Sequence, residues 1–308
     1  MSKPVICIGA ALVDELLYVN SEMLTATTNV ATASKTAGGV SRNIAEQLSM
    51  LGVPAYLISV FGDDGDGAWL MQDCKKRGIN TEASIIREGC TGKYTGVIDQ
   101  EGNLFTAFIS NSSEYMISPQ WMERQKDLLL TAFCLMADTN VPEVTMTWLL
   151  NFSKEHNIPF IIETVSVPPA RKLKMLDLDG LYLITPNEDE LPAVCMEEGG
   201  TKEDQIKELL NRGVKNIWYH GGLEGSLIYS KDRAFQLHAP LGVEMVDCTG
   251  AGDSSLSGFI MAKWLGKTDA EALRVAHTMS AETIQVKGSI ARHLNQETVL
   301  SLVQKYYP

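Results

Sequence analysis

Residues 247–253, with the sequence DCTGAGD, place three small residues between two carboxylates, directly before a predicted helix. Leu256, Ile260 and Trp264 recur at helical spacing after this segment, so the glycines lie where that helix begins. Small residues there let backbone N–H groups approach an anion, and the helix dipole favours negative charge. Asp253 either caps the helix or acts as a general base that takes a proton from a hydroxyl attacking beside the anion.

Further polar residues follow other short apolar runs. Asp14 comes after the end of the first predicted strand, where a carboxylate can accept hydrogen bonds from two adjacent hydroxyls, and Asn43 lies on the first turn of a predicted helix. Asn187 and Glu190 follow a central run, in an acidic stretch where a helix is predicted to begin. Each group also has a purely structural interpretation: a turn carboxylate, a helix-start residue and an acidic helix terminus favoured by the macrodipole.

These residues are carried by short apolar runs that alternate with amphipathic stretches. The runs predict strands at residues 5–8, 55–60, 133–137, 159–162, 181–184, 216–220 and 226–229. Helical periodicity predicts helices that include residues 41–51, 69–77, 203–210 and 254–265. Strands alternating with helices of this length predict an α/β fold with a doubly wound, mainly parallel sheet flanked by helices.

Two segments interrupt the alternation, at about residues 15–37 and 91–112. Both are rich in Thr, Val, Tyr and Phe, and residues 94–98 and 104–109 flank a turn, which predicts a hairpin. We expect the two segments to pair into a small β-sheet that covers one edge of the main sheet, as a lid, a structural flap or a dimer contact. The sequence contains no repeat or linker, so residues 1–308 are predicted to form a single domain.

Composition excludes several classes of partner. With 26 Lys and Arg against 38 Asp and Glu, the net charge of −12 disfavours nucleic-acid polymers and anionic membranes. The first residues lack the features of a signal peptide, and no run of 18 apolar residues occurs, so we expect a cytoplasmic protein. Six scattered cysteines without a CxxC pair predict buried, reduced thiols. The five histidines show no paired spacing, which disfavours a metal site built from histidines.

The segment 247–253 resembles the C-terminal signature of the ribokinase-like carbohydrate kinases, the PfkB family. Residues 38–45, GGVSRNIA, are similar to the N-terminal signature of that family, and further landmarks at 9–14, 187–190 and 221–225 occur in the expected order. The resemblance covers essentially the whole chain. It implies a ribokinase-like fold with a small β-sheet lid, and ATP-dependent phosphorylation of a sugar or nucleoside hydroxyl.

Within the family, the chain looks most like the pseudouridine kinases. This likeness depends on residues 39–46, GVSRNIAE, and on residues 163–167, ETVSV. Thr164 stands where the kinases of this group usually carry proline. The resemblance therefore implies pseudouridine as the substrate, with its 5′-hydroxyl as acceptor, and it marks Thr164 as a departure from the pattern.

The resemblance also implies roles for individual residues. Asp253 matches the catalytic base, and the anion hole that stabilises the transferring phosphoryl group matches Gly250, Ala251 and Gly252. The positions that hold the sugar match Asp14, Gly38, Gly39 and Asn43. The nucleotide-binding positions match Asn187, Gly222, Gly225, Thr249 and Gly252. Glu190 matches a position that binds Mg²⁺ through water, and the backbone carbonyls of Asp247 and Thr249 match a K⁺ site of many relatives.

The predicted partner is thus a small sugar or nucleoside, with ATP, Mg²⁺ and K⁺ as cofactors and a homodimer formed through the lid. Alternatives are another PfkB-type kinase acting on ribose, fructose or an ordinary nucleoside, and a non-catalytic ligand-binding relative. The intact Gly-Ala-Gly-Asp sequence argues against the latter. A dinucleotide-dependent oxidoreductase is rejected because residues 9–14, GAALVD, do not form a GxGxxG turn after the first strand.

Overall fold

Fourteen strands occur within residues 2–197 and 199–308, the part of the chain that this computed structural model describes. In chain order they are β1 Val5–Ile8, β2 Leu12–Val19, β3 Ala31–Gly38, β4 Ala55–Ile58, β5 Val60–Gly62, β6 Ile85–Arg87, β7 Lys93–Ile98, β8 Leu104–Ser110, β9 Cys134–Asp138, β10 Phe160–Glu163, β11 Leu183–Ile184, β12 Asn216–His220, β13 Ser226–Ser230 and β14 Arg233–Leu237.

The helices alternate with these strands through most of the chain. They are α1 Val40–Met50, α2 Gly65–Lys76, α3 Pro119–Arg124, α4 Lys126–Leu129, α5 Glu143–His156, α6 Val167–Ala170, α7 Glu190–Val194, α8 Lys202–Asn211, α9 Ala251–Trp264, α10 Asp269–Thr283 and α11 Gln296–Tyr306. Among the described residues, no helix combines the length and the apolar character needed to cross a bilayer.

Eight strands form the central sheet in the order β14-β13-β12-β11-β10-β9-β1-β4. The strands from β12 to β4 are parallel, whereas β13 and β14 return antiparallel to their neighbours. Strands β1, β9 and β10 are buried along their whole length, as expected for parallel strands covered by helices on both faces. The mainly parallel α/β architecture predicted from the sequence is confirmed.

Helix α9 is buried over most of its length. Every residue from Asp253 to Ala262 is buried, and the helix packs between α1 and α10. Leu256, Phe259 and Ile260 belong to the apolar layer that also contains Ile44 and Leu48 of α1. A helix enclosed in this way gives its first turn a fixed position relative to the sheet.

A separate four-stranded sheet, in the order β3-β2-β7-β8, is built from the two segments that interrupt the alternation. The hairpin of β7 and β8 is present as predicted, and β2 pairs with both β3 and β7. One expectation is wrong: Asp14 does not follow a strand end but lies within β2, opposite Thr36 and Tyr94. The small sheet therefore carries this carboxylate itself.

Two other expectations require correction. The predicted strand at 55–60 is two strands, because β5 leaves the central sheet to pair with β6. The six cysteines are free, but only four of them are buried, and the two with exposed positions are Cys90 and Cys248.

Candidate active site

The amino end of α1 lies against the carboxyl ends of β1 and β9. The Ser41 hydroxyl donates hydrogen bonds to the Ile8 carbonyl (2.9 Å) and to the Asp138 carboxylate (2.6 Å). The N–H groups of Ser41 and Ala10 donate to the same carboxylate oxygen, at 3.1 and 2.8 Å. The fully buried Asp138 thus fixes the start of α1 at the sheet edge. Our sequence analysis missed Asp138, although an acid directly after predicted strand 133–137 is a recognisable signal.

Two glycines make room for Asp14 and for the turn into α1. A Cβ atom at Gly38 would lie 2.0 Å from an Asp14 carboxylate oxygen, so only glycine leaves space for that carboxylate. Gly39 has a φ of +100°, and a Cβ there would lie 2.4 Å from the Ala10 carbonyl oxygen. Burial, partly opposed by the charge of Arg42, raises the pKa of Asp14 to about 6. No hydrogen bond within the described residues uses the Asp14 carboxylate, which is free to accept hydrogen bonds from a ligand.

Asn43 and Asp253 are in direct contact although 210 residues separate them. The Asn43 side-chain N–H donates to Asp253 Oδ2 at 2.9 Å. Arg42 Nη1 donates to Asn43 Oδ1 at 3.3 Å, which directs the amide nitrogen of Asn43 towards Asp253. Arg42 is itself buried and forms ion pairs with Glu46 and with Asp73, the latter at 2.6 Å. These contacts fix the orientation of the Asp253 carboxylate.

The carboxyl group of Asp253 has the properties of a base that works near neutral pH. Burial raises its pKa to about 7, the hydrogen bond from Asn43 opposes this rise, and the charges of Asp138 and Asp14 add to it. A base is most effective when its pKa lies near the working pH. The carboxylate of Asp14 is thus close enough to Asp253 to influence its titration.

The first turn of α9 can receive an anion beside Asp253. Gly250 precedes the helix at a φ of +76°, and a Cβ there would lie 2.3 Å from the Ser289 carbonyl oxygen. A Cβ at Gly252 would meet no atom within 4 Å, so the space in front of this residue is open. The N–H groups in the first turn of a helix lack carbonyl partners within the helix. The Ala251 N–H donates to the Cys248 carbonyl at 3.3 Å, whereas no hydrogen bond outside the helix uses the N–H of Gly252 among the described residues. The anion hole at Gly250, Ala251 and Gly252 stays a prediction.

The segment before α9 is fixed by the side chain of Asp247. Its carboxylate accepts hydrogen bonds from the N–H groups of Thr249 and Gly288, both at 2.9 Å. Burial works to raise the pKa of Asp247, but these hydrogen bonds outweigh it and leave the pKa below its usual value. Both carboxylate oxygens of Asp247 therefore hold neighbouring backbone in place, and the K⁺ site at the carbonyls of Asp247 and Thr249 stays a prediction.

Asn187 and Glu190 form two reciprocal hydrogen bonds at the start of α7. The N–H of Glu190 donates to Asn187 Oδ1 (3.0 Å), and the N–H of Asn187 donates to Glu190 Oε2 (3.1 Å). The hydroxyl of Thr164 also donates to Glu190 Oε2, at 2.7 Å. Thr164 therefore has a defined contact with a candidate metal-binding carboxylate, which a proline in its place would not make.

Glu163 is a buried carboxyl group that our sequence analysis did not select as a site residue. It accepts hydrogen bonds from the Thr185 hydroxyl and from the N–H of Val165 (3.2 Å). Burial raises the pKa of Glu163 to about 8, the Thr185 hydrogen bond lowers it, and the charges of Asp253 and Glu190 raise it further. The charges of Asp253 and Glu190 thus disfavour ionisation of Glu163, and a cation beside it would favour ionisation.

The oxygen donors present here fit Mg²⁺, which proteins usually bind through one or two carboxylates together with substrate phosphates and water. Within the described residues, no three or more His, Cys, Asp or Glu side chains are grouped so as to hold a metal by themselves. Glu190, with Glu163 nearby, therefore suits a cation that arrives with a phosphate ligand.

The predicted nucleotide-binding residues form a second group. Asn187 pairs through its backbone with His220, at the end of β12, and the turn 221–225 follows. The Gly221 N–H donates to the Gly225 carbonyl at 2.8 Å, closing that turn, while a Cβ at Gly222 would meet nothing within 4 Å. In the described part of the chain, no hydrogen bond joins Asn187, Gly222 or Gly225 to Asp253. The nucleotide-binding role of these residues stays a prediction.

Comparison with known proteins gives a consistent result. The model of the pfkB family carbohydrate kinases matches residues 2–296. The chain is 26% identical to the pseudouridine kinase of Escherichia coli K12 over 97% of this chain and 96% of that protein. It is 24% identical to a ribokinase of Arabidopsis thaliana over 98% of this chain and 82% of that protein.

Solved structures share the fold. The Arabidopsis thaliana ribokinase complexed with ribose and ATP superimposes with a TM-score of 0.87 at 23% identity, covering 99% of both chains. A carbohydrate kinase from Agrobacterium tumefaciens gives a TM-score of 0.84 at 25% identity over 98% of this chain and 97% of the other. The family and the ribokinase-like fold predicted from the signatures are confirmed. The chain belongs to the pfkB family of carbohydrate kinases, phosphotransferases that use an alcohol group as acceptor.

Proposed function

We propose that this kinase uses ATP to phosphorylate the 5′-hydroxyl of pseudouridine. The contact between Asn43 and Asp253 carries the catalytic part of the proposal, because it sets an oriented carboxylate with a pKa near 7 beside the first turn of α9. The choice of acceptor is supported by the likeness to the E. coli pseudouridine kinase over 97% of this chain.

In the reaction we propose, Asp14 accepts hydrogen bonds from hydroxyls of the acceptor and Asp253 takes the proton of the attacking hydroxyl. A bond forms between that hydroxyl oxygen and the γ-phosphorus, the bond from the γ-phosphorus to the bridging oxygen breaks, and ADP leaves. The N–H groups of Gly250, Ala251 and Gly252 hold the phosphoryl oxygens during transfer. Positioning and charge stabilisation of this kind supply most of the acceleration in phosphoryl transfer.

Two cations complete the proposal. Glu190 would hold Mg²⁺ through water, with Glu163 nearby, and the carbonyls of Asp247 and Thr249 would hold K⁺. Mg²⁺ bound with ATP neutralises charge on the phosphates. The residues we propose to line the nucleotide site are Asn187, Gly222, Gly225, Thr249 and Gly252.

A second candidate, phosphorylation of a free sugar, is favoured by the similarity to ribokinase over 98% of this chain. An ADP-release assay with ATP, Mg²⁺ and K⁺ across pseudouridine, uridine, ribose and fructose separates the two. We expect kcat/KM to favour pseudouridine over uridine by 100-fold or more, about 2.7 kcal/mol in the transition state. Preference for ribose or fructose would overturn the nucleoside assignment, and binding of ATP without any turnover would favour a non-catalytic relative.

We further propose a homodimer formed through the small sheet. Strand β8 is an edge strand, and four of its apolar side chains are between 55% and 65% exposed, namely Leu104, Phe105, Phe108 and Ile109. An exposed apolar edge favours pairing with a second chain. Light scattering after gel filtration should show a dimer for the wild type and a monomer for Phe108→Glu. Val144→Glu, at an equally exposed site on α5, should leave the dimer intact, and a monomeric wild type would contradict the proposal.

A further inference from the structure

A chain of hydrogen bonds connects β12, β13, α10 and the residue after α11. Trp218 Nε1 donates to Ser226 Oγ at 2.9 Å, and Ser226 Oγ lies 2.7 Å from His277 Nε2. His277 Nδ1 lies 2.9 Å from the Tyr307 hydroxyl, which donates to the His238 carbonyl at 3.0 Å. Five side-chain and backbone groups from distant parts of the sequence thus form one continuous series.

The direction of every hydrogen bond in this series follows from its two ends. The His238 carbonyl can only accept, so the Tyr307 hydroxyl gives its proton there and must accept from His277 Nδ1–H. The other ring nitrogen, Nε2, then accepts from the Ser226 hydroxyl, whose oxygen accepts from Trp218. Burial lowers the pKa of His277 to about 4, which keeps the ring neutral, as this arrangement requires. Every member is satisfied, and such a series holds one geometry.

The series encloses the turn that we propose to bind the nucleotide. Ser226 directly follows Gly225, and His238 packs against the same glycine from the other side. A Cβ at Gly225 would lie 2.7 Å from His238 Cα and 2.1 Å from the Leu237 carbonyl oxygen. His238 also begins the segment 238–249, which leads to Asp247 and to the anion hole. Tyr307 therefore fixes the point where the turn 221–225 meets the segment that ends at Thr249, and both contain residues proposed to bind the nucleotide.

We propose that Tyr307, acting through His277 and Ser226 on one side and through His238 on the other, is a positioning residue for the nucleotide. This inference depends on the proposed function, since it assigns the turn 221–225 and the segment 238–249 to the ATP site. Tyr307 itself need not touch ATP. Its hydroxyl holds the Gly225 turn and the start of the segment in the relative position that the nucleotide requires.

The test compares Tyr307→Phe with Tyr306→Phe. Tyr306 is the adjacent residue, but its hydroxyl donates to Glu282 of α10 (2.7 Å) and accepts from Gln285, just after that helix (3.3 Å), and among the described residues it has no hydrogen bond to the segment. Tyr307→Phe should weaken binding of a fluorescent ADP analogue and raise KM for ATP by about three- to ten-fold, the range expected for one lost hydrogen bond. KM for the acceptor and kcat should stay within about twofold, and Tyr306→Phe should change neither nucleotide constant.

Hydrogen exchange measured by mass spectrometry supplies a readout that does not depend on turnover. Tyr307→Phe should accelerate exchange in residues 221–226 and 238–249, and Ser226→Ala, which interrupts the series at its other side, should do the same. Equal ADP affinity and equal exchange in Tyr307→Phe and the wild type would overturn the inference. If exchange is accelerated in Tyr307→Phe but the wild-type protein binds no ADP, the proposed nucleotide site is overturned, and with it the role assigned to Tyr307.

Discussion

At the scale of single residues, the proposal that Asp253 is the base depends on surroundings that hold its pKa near neutrality, at about 7. We expect Asp253→Asn to lower kcat by about 10²- to 10⁴-fold, because the amide cannot take the hydroxyl proton. In the wild type, kcat/KM should rise with pH and level off above about 7, as Asp253 and Asp14 titrate together. Steady-state ADP release measures both effects. Asp189→Asn, an exposed acid near Asn187, is the control, and turnover within threefold for Asp253→Asn would refute the assignment.

Thr164 gives a second test at this scale, because its hydroxyl is one of two donors to a buried Glu190 oxygen. Thr164→Val keeps the shape but removes the donor, so we expect the free energy of unfolding to fall by about 1–3 kcal/mol. The Mg²⁺ concentration for half-maximal activity should also rise several-fold, since Glu190 loses one of the contacts that hold its carboxylate in place. Thr164→Ser retains the donor and should match the wild type in denaturant titrations and in Mg²⁺ dependence. Identical Mg²⁺ curves for the two variants would contradict this role.

At the scale of elements, the small sheet is held to α2 by Asp66. Lys35 of β3 and Lys93 of β7 reach its carboxylate at 2.5 and 3.2 Å. Exposed ion pairs contribute little individually, so we expect Asp66→Asn to raise KM for the acceptor only about two- to five-fold and to leave KM for ATP unchanged. Acceptor titrations test this, and choline chloride at about 0.5 M should abolish the difference from the wild type by screening. Asp179→Asn, which removes a 2.5 Å pair with Lys154 outside the small sheet, should have no effect. A similar rise in both variants would show that the small sheet is not involved.

The elements also show what the sequence can predict. Buried parallel strands such as β1 and β9 are continuous apolar runs, and the hairpin of β7 and β8 is marked by its turn, so both were predicted within one or two residues. Strand β14 was missed because it is an exposed edge with mixed residues, and its pairing with β13 depends on tertiary contacts. Asp14 was misplaced for a related reason, since residues 12–19 show no clean alternation of burial.

The candidate site also contains residues that the sequence could identify and residues that it could not. The sequence signatures identified Asp253 and Asn43, but their hydrogen bond joins positions 210 residues apart and depends on how α1 and α9 pack. Asp138 and Glu163 end strands β9 and β10, which were predicted; an acid at such a place marks a candidate, but whether it is buried depends on tertiary contacts. Their roles follow from burial and from the backbone N–H groups and hydroxyls that face them.

At the scale of the whole molecule, the buried titratable groups make the free energy of unfolding depend on pH. Asp253 and Glu163 have folded-state pKa values of about 7 and about 8, above their unfolded values, so the stability they contribute is present at low pH and lost as pH rises through these values. Burial lowers the pKa of His220 to about 3 and of His277 to about 4, so their contribution is lost as pH falls below about 6.5. Between pH 6.5 and 8, therefore, the two carboxyl groups determine most of the change in the free energy of unfolding.

The free energy of unfolding should accordingly fall by about 2 kcal/mol between pH 6.5 and 8, since one pKa unit corresponds to about 1.4 kcal/mol. Urea titrations at several pH values measure this change. Glu163→Gln removes the group with the highest of these pKa values, so the variant should lose less than half as much stability over the same range. Glu155→Gln, an exposed acid on α5, should behave as the wild type does. Stability that stays constant or rises from pH 6.5 to 8 would mean that these carboxyl groups are ionised throughout, and that Asp253 is a weaker base than its burial implies.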